Sequence, residues 1–113
     1  MGRKEHILSN KKRIQQLFSK GKTIKSYPIV VYALKSEQHK VLFSISKKKI
    51  SKAVDRNKIK RQLQAIYFND FKFQHKKALK ITLAIVYVST NPVSYLKLKT
   101  VMFNIIKQLK DEN

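Results

Sequence analysis

The residues with the clearest capacity for chemistry form one basic run at residues 47–61, which reads KKKISKAVDRNKIKR. Eight of its side chains are lysine or arginine, and its single acid is Asp55. Ammonium and guanidinium groups bind phosphate oxygens through charge-assisted hydrogen bonds, and the amide of Asn57 can both donate and accept. The run therefore predicts a surface that binds a partner with many phosphates.

Residues suited to catalysis by the polypeptide itself are sparse. The chain has no cysteine, and its three histidines, His6, His39 and His75, stand apart from other possible metal ligands, so we interpret them as solvated or structural. The six acids form no close pair for acid–base or two-metal chemistry: Glu5, Glu37, Asp55, Asp70, Asp111 and Glu112. The sequence thus predicts no catalytic residue and no metal site in the protein, and its positive evidence points to binding.

The length and net charge of the chain limit the number of domains and the classes of binding partner. A chain of 113 residues predicts one domain, residues 1–113, and 42% hydrophobic residues indicate that it folds. A net charge of +20 strains a compact body through self-repulsion, and a nucleic acid relieves that repulsion best because each bound phosphate releases counterions. An anionic membrane fits less well. With no apolar run of membrane-spanning length and no signal-type start, we expect a cytoplasmic protein with no membrane partner.

The basic run leads into an amphipathic helix over residues 52–68. Ile59, Leu63, Ile66 and Tyr67 are spaced as one apolar helical face. The other side of the helix carries polar residues, with Arg56 beside them at the first turn: Asn57, Lys60, Arg61 and Gln64. We therefore expect the cations to be held in a fixed geometry by the burial of the apolar face.

Two strands and a helix are expected before the basic run. Residues 6–21 predict a helix that Ser9 or Asn10 caps and Gly21 ends, followed by a basic connector at residues 22–26. Residues 27–34 and 41–46 predict strands, the second with alternating faces, and their short loop favours an antiparallel hairpin.

After the basic helix, residues 71–80 have no clear period and are interpreted as a loop or a ragged helical extension. Residues 81–88 predict the most apolar strand, which we expect at the centre of the sheet. Ser94 can cap a last helix with an apolar stripe, in which Met102 and Phe103 are interpreted as packing residues. The order of elements predicts an α+β fold, a two-layer α-β sandwich with three helices on a mixed sheet of about four strands.

Two segments of the sequence also resemble the signature motifs of a known protein family. Residues 43–48, FSISKK, followed by residues 53–61, AVDRNKIKR, resemble the signature of the protein subunit of bacterial ribonuclease P, whose hallmark is Arg-Asn-Arg followed by an apolar residue and more basic residues. Residues 14–18, IQQLF, followed by Gly21, are similar to the first helix of that family. The strands at 29–34 and 81–88 and the closing helix also fall in the family order, so the resemblance covers nearly the whole chain.

This resemblance implies a fold and a function. It implies a left-handed β-α-β crossover that includes the basic helix. It also implies that the RNA subunit of an endoribonuclease, with Mg²⁺ at its active site, hydrolyses the 5′ leader from precursor tRNA. The protein would bind ribonuclease P RNA and precursor tRNA as a monomer in a 1:1 complex, with no DNA partner and no cofactor of its own.

The resemblance further assigns residues to two sites. It implies a leader cleft lined by Ile14, Phe18, Val30 and Tyr32. It implies an RNA-subunit surface with these members: Lys47, Lys48, Lys52, Arg56, Asn57, Lys58, Lys60 and Arg61. Three positions depart from the family pattern, because Ile14 replaces a common Phe, Lys58 replaces the second Arg, and Gln64 replaces a frequent Arg.

Three other functions remain open at this stage. A structural RNA-binding protein, such as a ribosomal protein, would use the same charge to hold RNA together. A DNA-binding or nucleoid protein is a second alternative. Nuclease activity of the polypeptide itself is a third, and the scarcity of acids argues against it.

Overall fold

The computed structural model describes residues 7–36, 40–70 and 81–112, and residues 71–80, interpreted above as a loop or helical extension, lie outside this part of the chain. Within the described residues, four strands and three α-helices follow one another, with one π-helical turn. In chain order they are α1 (Lys11–Lys20), β1 (Lys22–Ser26), β2 (Ile29–Lys35), β3 (Lys40–Ile45), α2 (Ala53–Ala65), the π-helical turn (Ile66–Asp70), β4 (Ile81–Tyr87) and α3 (Tyr95–Glu112). The α+β class with three helices on a four-stranded mixed sheet is confirmed.

The order of strands in the sheet is β1-β2-β4-β3. Strand β4 runs antiparallel to β2 and parallel to β3, so that Ile85 pairs with Val31 on one side and with Phe43 on the other. The predicted central position of β4 is confirmed. The predicted antiparallel hairpin of β2 and β3 is wrong, because β4, buried on both faces, lies between them.

Strand β1 is a second difference from the sequence prediction, which took these residues for a connector. Its sequence KTIKS contains one apolar residue, Ile24, which is buried, while Lys22 and Lys25 are exposed. A two-residue turn, Tyr27-Pro28, whose peptide bond is cis, joins β1 to β2. An edge strand of this kind buries one side chain only, and its lysines protect the open edge from pairing with other chains.

The main core lies between one face of the sheet and helices α2 and α3. Val31 and Phe43 from the strands pack in one cluster with Ile59 and Leu63 of α2. Helix α3 adds its predicted stripe: Leu98, Val101, Met102 and Ile105 are buried there, and Leu109 packs against them. Phe103 was expected to pack as well but is 55% exposed, because it lies on the outer side of the helix.

Helix α1 lies on the other face of the sheet. Its Leu17 is fully buried against Ala84 of β4 in a small second cluster, with Tyr32 and Leu42 packed partly buried around it. The residues alternate, since Val31 and Leu83 belong to the main core and their neighbours Tyr32 and Ala84 to this one. The parallel pair β3 and β4, connected through α2, forms the expected crossover, and its left hand stays a prediction.

The ends of α1 are fixed by local contacts. The Oδ1 atom of Asn10 accepts a hydrogen bond of 3.1 Å from the Arg13 N–H, which confirms Asn10 as the cap. The helix begins at Lys11 and not at His6, because Leu8 N–H donates to the Val41 carbonyl at 2.8 Å along the edge of β3. At Gly21 a Cβ atom would overlap the Leu17 carbonyl oxygen and lie 3.1 Å from that of Ala33, so glycine permits a close approach there.

Candidate RNA-binding surfaces

The first candidate site is the cationic surface, formed by the loop before α2 and by the outer side of α2. Seven of its eight predicted members are exposed, and the eighth, Arg56, is half-buried. The structure brings all eight together on one short segment: Lys47, Lys48, Lys52, Arg56, Asn57, Lys58, Lys60 and Arg61.

Helix α2 positions the second half of this surface. Ile59 and Leu63 are 3% and 0% exposed, and their burial fixes the rotation of the helix about its axis. Lys60 and Arg61 are therefore directed to solvent. Asp55, in the first turn, is the acid of this segment and suits the positive end of the helix dipole. The outer side of α2 thus presents cations with one acid at its beginning.

The loop before α2 is ordered by its own backbone. Ser46 Oγ accepts a hydrogen bond from the Lys48 N–H at 3.1 Å, and the Ser46 carbonyl accepts from Ile50 N–H at 3.0 Å. The Ile50 side chain is 5% exposed and joins the main core. Because both ends of the turn are fixed, the side chains of Lys47 and Lys48 are presented outwards from a defined backbone.

Arg56 has a role that the sequence did not reveal. Its Nη1 atom donates to the Ile50 carbonyl at 2.9 Å and to the Ser51 carbonyl at 2.7 Å. The guanidinium therefore ties α2 to the basic loop, and it still has further N–H donors that could face a phosphate. No sequence pattern marks an arginine that bonds a backbone carbonyl six residues earlier, so the sequence alone could not have predicted this contact.

The second candidate site is the apolar cleft, lined by the four predicted residues Ile14, Phe18, Val30 and Tyr32. The rings of Phe18 and Tyr32 meet edge to face, with centroids 4.7 Å apart and an interplanar angle of 66°. Phe18 is 40% exposed, and Tyr32 and Ile14 are half-buried against the small cluster under α1. Val30 is half-buried and pairs with Val86, which packs against the same cluster.

Further residues line this face of the sheet. Leu34, Leu42 and Val86 are half-buried around the same cluster and were not among the predicted cleft residues. The signal that could have found them is the period-two alternation of the strands, which places Leu34 on the same face as Tyr32. The opposite face of β2 is fully covered, with Ile29 and Val31 at 0% and 1% exposure. In β2, therefore, only the face that carries Val30, Tyr32 and Leu34 is incompletely buried.

The two candidate sites lie on opposite faces of the sheet. Tyr32 belongs to the face that α1 covers, whereas Ile59 and Leu63 anchor the cationic surface to the other face. The structure does not bring the two sets of residues into one pocket. Two different segments of nucleic acid could therefore contact the protein at the same time.

Possible metal ligands and titratable groups among the described residues show what chemistry the polypeptide itself could support. Within residues 7–36, 40–70 and 81–112, no group of three or more histidine, cysteine, aspartate or glutamate side chains is placed to hold a metal ion. Burial raises the pKa of Tyr67 well above its usual value and also raises that of Tyr87, whose hydroxyl donates to the Asn91 carbonyl at 2.6 Å. These two tyrosines are neutral core residues at ordinary pH.

In the part of the chain that is described, no helix combines the length and apolar character needed to cross a membrane.

Comparison with known proteins identifies the class. The model of the Ribonuclease P family matches residues 2–110. The ribonuclease P protein component of Exiguobacterium sibiricum is 33% identical over 95 residues, covering 81% of this chain and 77% of the relative. That of Mycoplasma capricolum is 28% identical over 107 residues, covering 94% of this chain and 97% of the relative.

Solved structures agree on the fold. The RNase P protein of Staphylococcus aureus superposes with a TM-score of 0.77 at 22% identity, covering 93% of this chain and 95% of that one. The RNase P protein of Thermotoga maritima gives 0.74 at 17% identity, with 91% and 96% covered. The chain belongs to the bacterial ribonuclease P protein component family. It is thus a component of a tRNA-processing ribozyme, an endoribonuclease.

Proposed function

We propose that this protein binds the catalytic RNA of ribonuclease P through the cationic surface and the 5′ leader of precursor tRNA through the apolar cleft. In this way it assists the RNA-catalysed endonucleolytic removal of the leader. It acts as a monomer, one copy per catalytic RNA, in the cytoplasm. The observation that carries the proposal is the half-exposed pair of Phe18 and Tyr32 on the sheet face opposite the cationic surface.

The cationic surface suits a large folded RNA. Hydrogen bonds hold the backbone of the loop, and the buried apolar face holds α2, so the backbone loses little conformational entropy when phosphates bind. Several phosphates neutralised at once release their counterions, and the affinity then falls steeply with salt. Arg61, with a planar fork of donors, can contact one phosphate with two hydrogen bonds, whereas Lys58 and Lys60 act as point charges.

The apolar cleft suits an unpaired strand. A nucleobase can pack on the exposed part of the Phe18 ring, which Tyr32 holds by its edge-to-face contact. Stacking of this kind tolerates any base and contributes about 1–3 kcal/mol per base. The cleft lacks the second ring that a Phe at the position of Ile14 would supply, so Phe18 and Tyr32 carry the contact here.

Bond cleavage is assigned to the RNA. The Mg²⁺ ions that activate water are placed in the RNA active site, and the protein contributes no catalytic side chain and holds no cofactor. The protein contributes positive charge near the RNA and a grip on the leader. Such a contribution matters most at low magnesium, where few other cations screen the phosphates.

Reconstitution tests this function. Ribonuclease P RNA and a precursor tRNA are combined at low magnesium with and without the protein, and release of the leader is followed with time. We expect a large rise in cleavage rate with protein and no cleavage by protein alone. Polylysine at equal positive charge serves as the control. If polylysine accelerates cleavage as well as the protein does, or if the protein binds RNA tightly without acceleration, a structural RNA-binding role replaces the proposed one.

A further inference from the structure

Helix α3 carries a stripe of exposed residues on the side away from the core, here called the outer stripe. Its members follow one another at helical spacings of three or four, which places them on one side of the helix: Leu96, Lys99, Phe103 and Lys107. Leu96 is 72% exposed and Phe103 is 55% exposed. The lysines of the stripe are exposed as well. Two large and partly exposed apolar side chains thus lie on the same side of the helix as two exposed lysines.

We propose that the outer stripe is an additional RNA-binding site, in which the ring of Phe103 stacks on an unpaired base of the catalytic RNA. Lys99 and Lys107 lie one turn on either side of Phe103, at about 6 Å along the helix axis, and contact the neighbouring phosphates. An exposed aromatic ring between cations is the arrangement by which proteins bind single-stranded nucleic acid without base preference. The inference rests on the proposed function, since it adds a contact to the same RNA.

Charge favours RNA over a second copy of this chain. No acid occurs in the sequence between Asp70 and Asp111, so the outer stripe has no acidic neighbour along the helix before its last turn. Pairing two copies through this stripe would bring lysines of the same sign together, at a cost that an apolar contact of two residues does not offset. A polyanion with exposed bases matches both features of the surface.

Position favours the catalytic RNA over the leader. Helix α3 packs on the same core as α2 and contacts the π-helical turn that continues α2. The outer stripe therefore belongs to the same helical layer as the cationic surface and lies across the sheet from the apolar cleft. An RNA that binds α2 can extend over α3 on the same side of the sheet, whereas a leader held in the cleft lies on the other side.

Binding measurements with conservative variants test the proposal. The dissociation constant is measured at fixed salt for labelled ribonuclease P RNA, and separately for the complete complex with precursor tRNA. Phe103→Leu keeps an apolar side chain without a ring, Phe103→Tyr keeps the ring, and Asn104→Ala changes an exposed neighbour on another side of the helix. Circular dichroism melting checks that each variant is folded.

We expect Phe103→Leu to raise the dissociation constant for ribonuclease P RNA about fivefold or more. Phe103→Tyr and Asn104→Ala should stay within about twofold of the parent protein, and binding of precursor tRNA to complexes assembled at saturating protein should not change. The proposal is overturned if Phe103→Leu binds this RNA as tightly as Asn104→Ala does. It is also overturned if only precursor tRNA binding weakens, or if sedimentation shows a dimer that Phe103→Leu dissociates.

The two proposals fail separately. If the parent protein does not accelerate cleavage but Phe103→Leu still weakens RNA binding, the outer stripe is retained and the function in leader removal is rejected. If acceleration is present and Phe103→Leu changes nothing, the function is retained and the outer stripe is rejected.

Discussion

The guanidinium of Arg56 connects helix α2 to the loop that carries Lys47 and Lys48, through hydrogen bonds of 2.9 and 2.7 Å to two backbone carbonyls. A residue that the basic pattern marks as a phosphate ligand therefore also holds the loop in place. We therefore expect part of its contribution to RNA binding to come from the position that it gives to its neighbours. Arg61 lies five residues further along the same helix and is exposed. It makes no such internal contact among the described hydrogen bonds.

Arg56→Lys separates these two contributions. Both hydrogen bonds come from the single atom Nη1. Lysine keeps the charge, but its side chain is one bond shorter and its ammonium cannot take the position of Nη1, so the loop should loosen at a cost of about 1–2 kcal/mol. We expect faster tryptic cleavage after Lys47–Lys49 and a larger loss of RNA affinity than in the matched control Arg61→Lys. Equal tryptic rates in the two variants would show that Arg56 does not order the loop.

At the scale of elements, the apolar cleft depends on how α1 sits on the sheet. Leu17 is fully buried, yet Phe18, the next residue, stays 40% exposed and meets the ring of Tyr32. Gly21 lets the end of the helix approach the Ala33 carbonyl closely, so that α1 packs directly against β2. The cleft is thus a product of helix placement as much as of the residues that line it.

Tyr32→Ala tests the cleft. Removal of the ring takes away the edge-to-face support of Phe18 and part of the stacking surface. We expect the assembled complex to bind precursor tRNA about fivefold or more weakly and mature tRNA unchanged. Thr23→Ala, an exposed change on the edge strand β1, is the matched control. An equal loss for precursor and mature tRNA would indicate that Tyr32 is only a core residue.

The sequence predicts some of these elements better than others. The stripe of Ile59, Leu63, Ile66 and Tyr67 was sufficient to place α2, because helical periodicity is local and strong in that segment. Strand β1 was missed because one apolar residue, Ile24, gives no alternation to recognise. The pairing of β2 with β3 was predicted wrongly, because strand pairing depends on contacts between distant parts of the chain, which a local pattern does not encode.

The candidate sites show the same division. The exposure of the cationic surface could be anticipated from the sequence, since its members lie on one continuous segment, and its binding of RNA stays a prediction. The cleft residues came from family resemblance, since Phe18 and Tyr32 meet only through the packing of α1 on β2. Neither the contact of Arg56 with the loop nor the exposure of Phe103 was predicted, since each depends on the direction of one side chain in the folded protein.

At the scale of the whole molecule, the net charge of +20 makes the isolated protein repel itself. A bound polyanion should therefore stabilise the fold, because relief of this repulsion strengthens its binding to the native state and preferential binding to the native state raises the free energy of unfolding. At a hundred times its dissociation constant, polyuridylate should raise the midpoint of thermal unfolding by on the order of 10 °C. Added sodium chloride should remove the rise. Dextran is the neutral control, and a midpoint that polyuridylate leaves unchanged would contradict this account of the charge.

The central claim is that the two faces of the sheet bind two different RNA strands. Photo-crosslinking in the assembled complex tests it most directly, with benzoylphenylalanine in place of either Phe18 or Arg61. We expect the probe at Phe18 to react with leader nucleotides of precursor tRNA and the probe at Arg61 to react with the catalytic RNA. Crosslinks from both positions to the same RNA strand would contradict it.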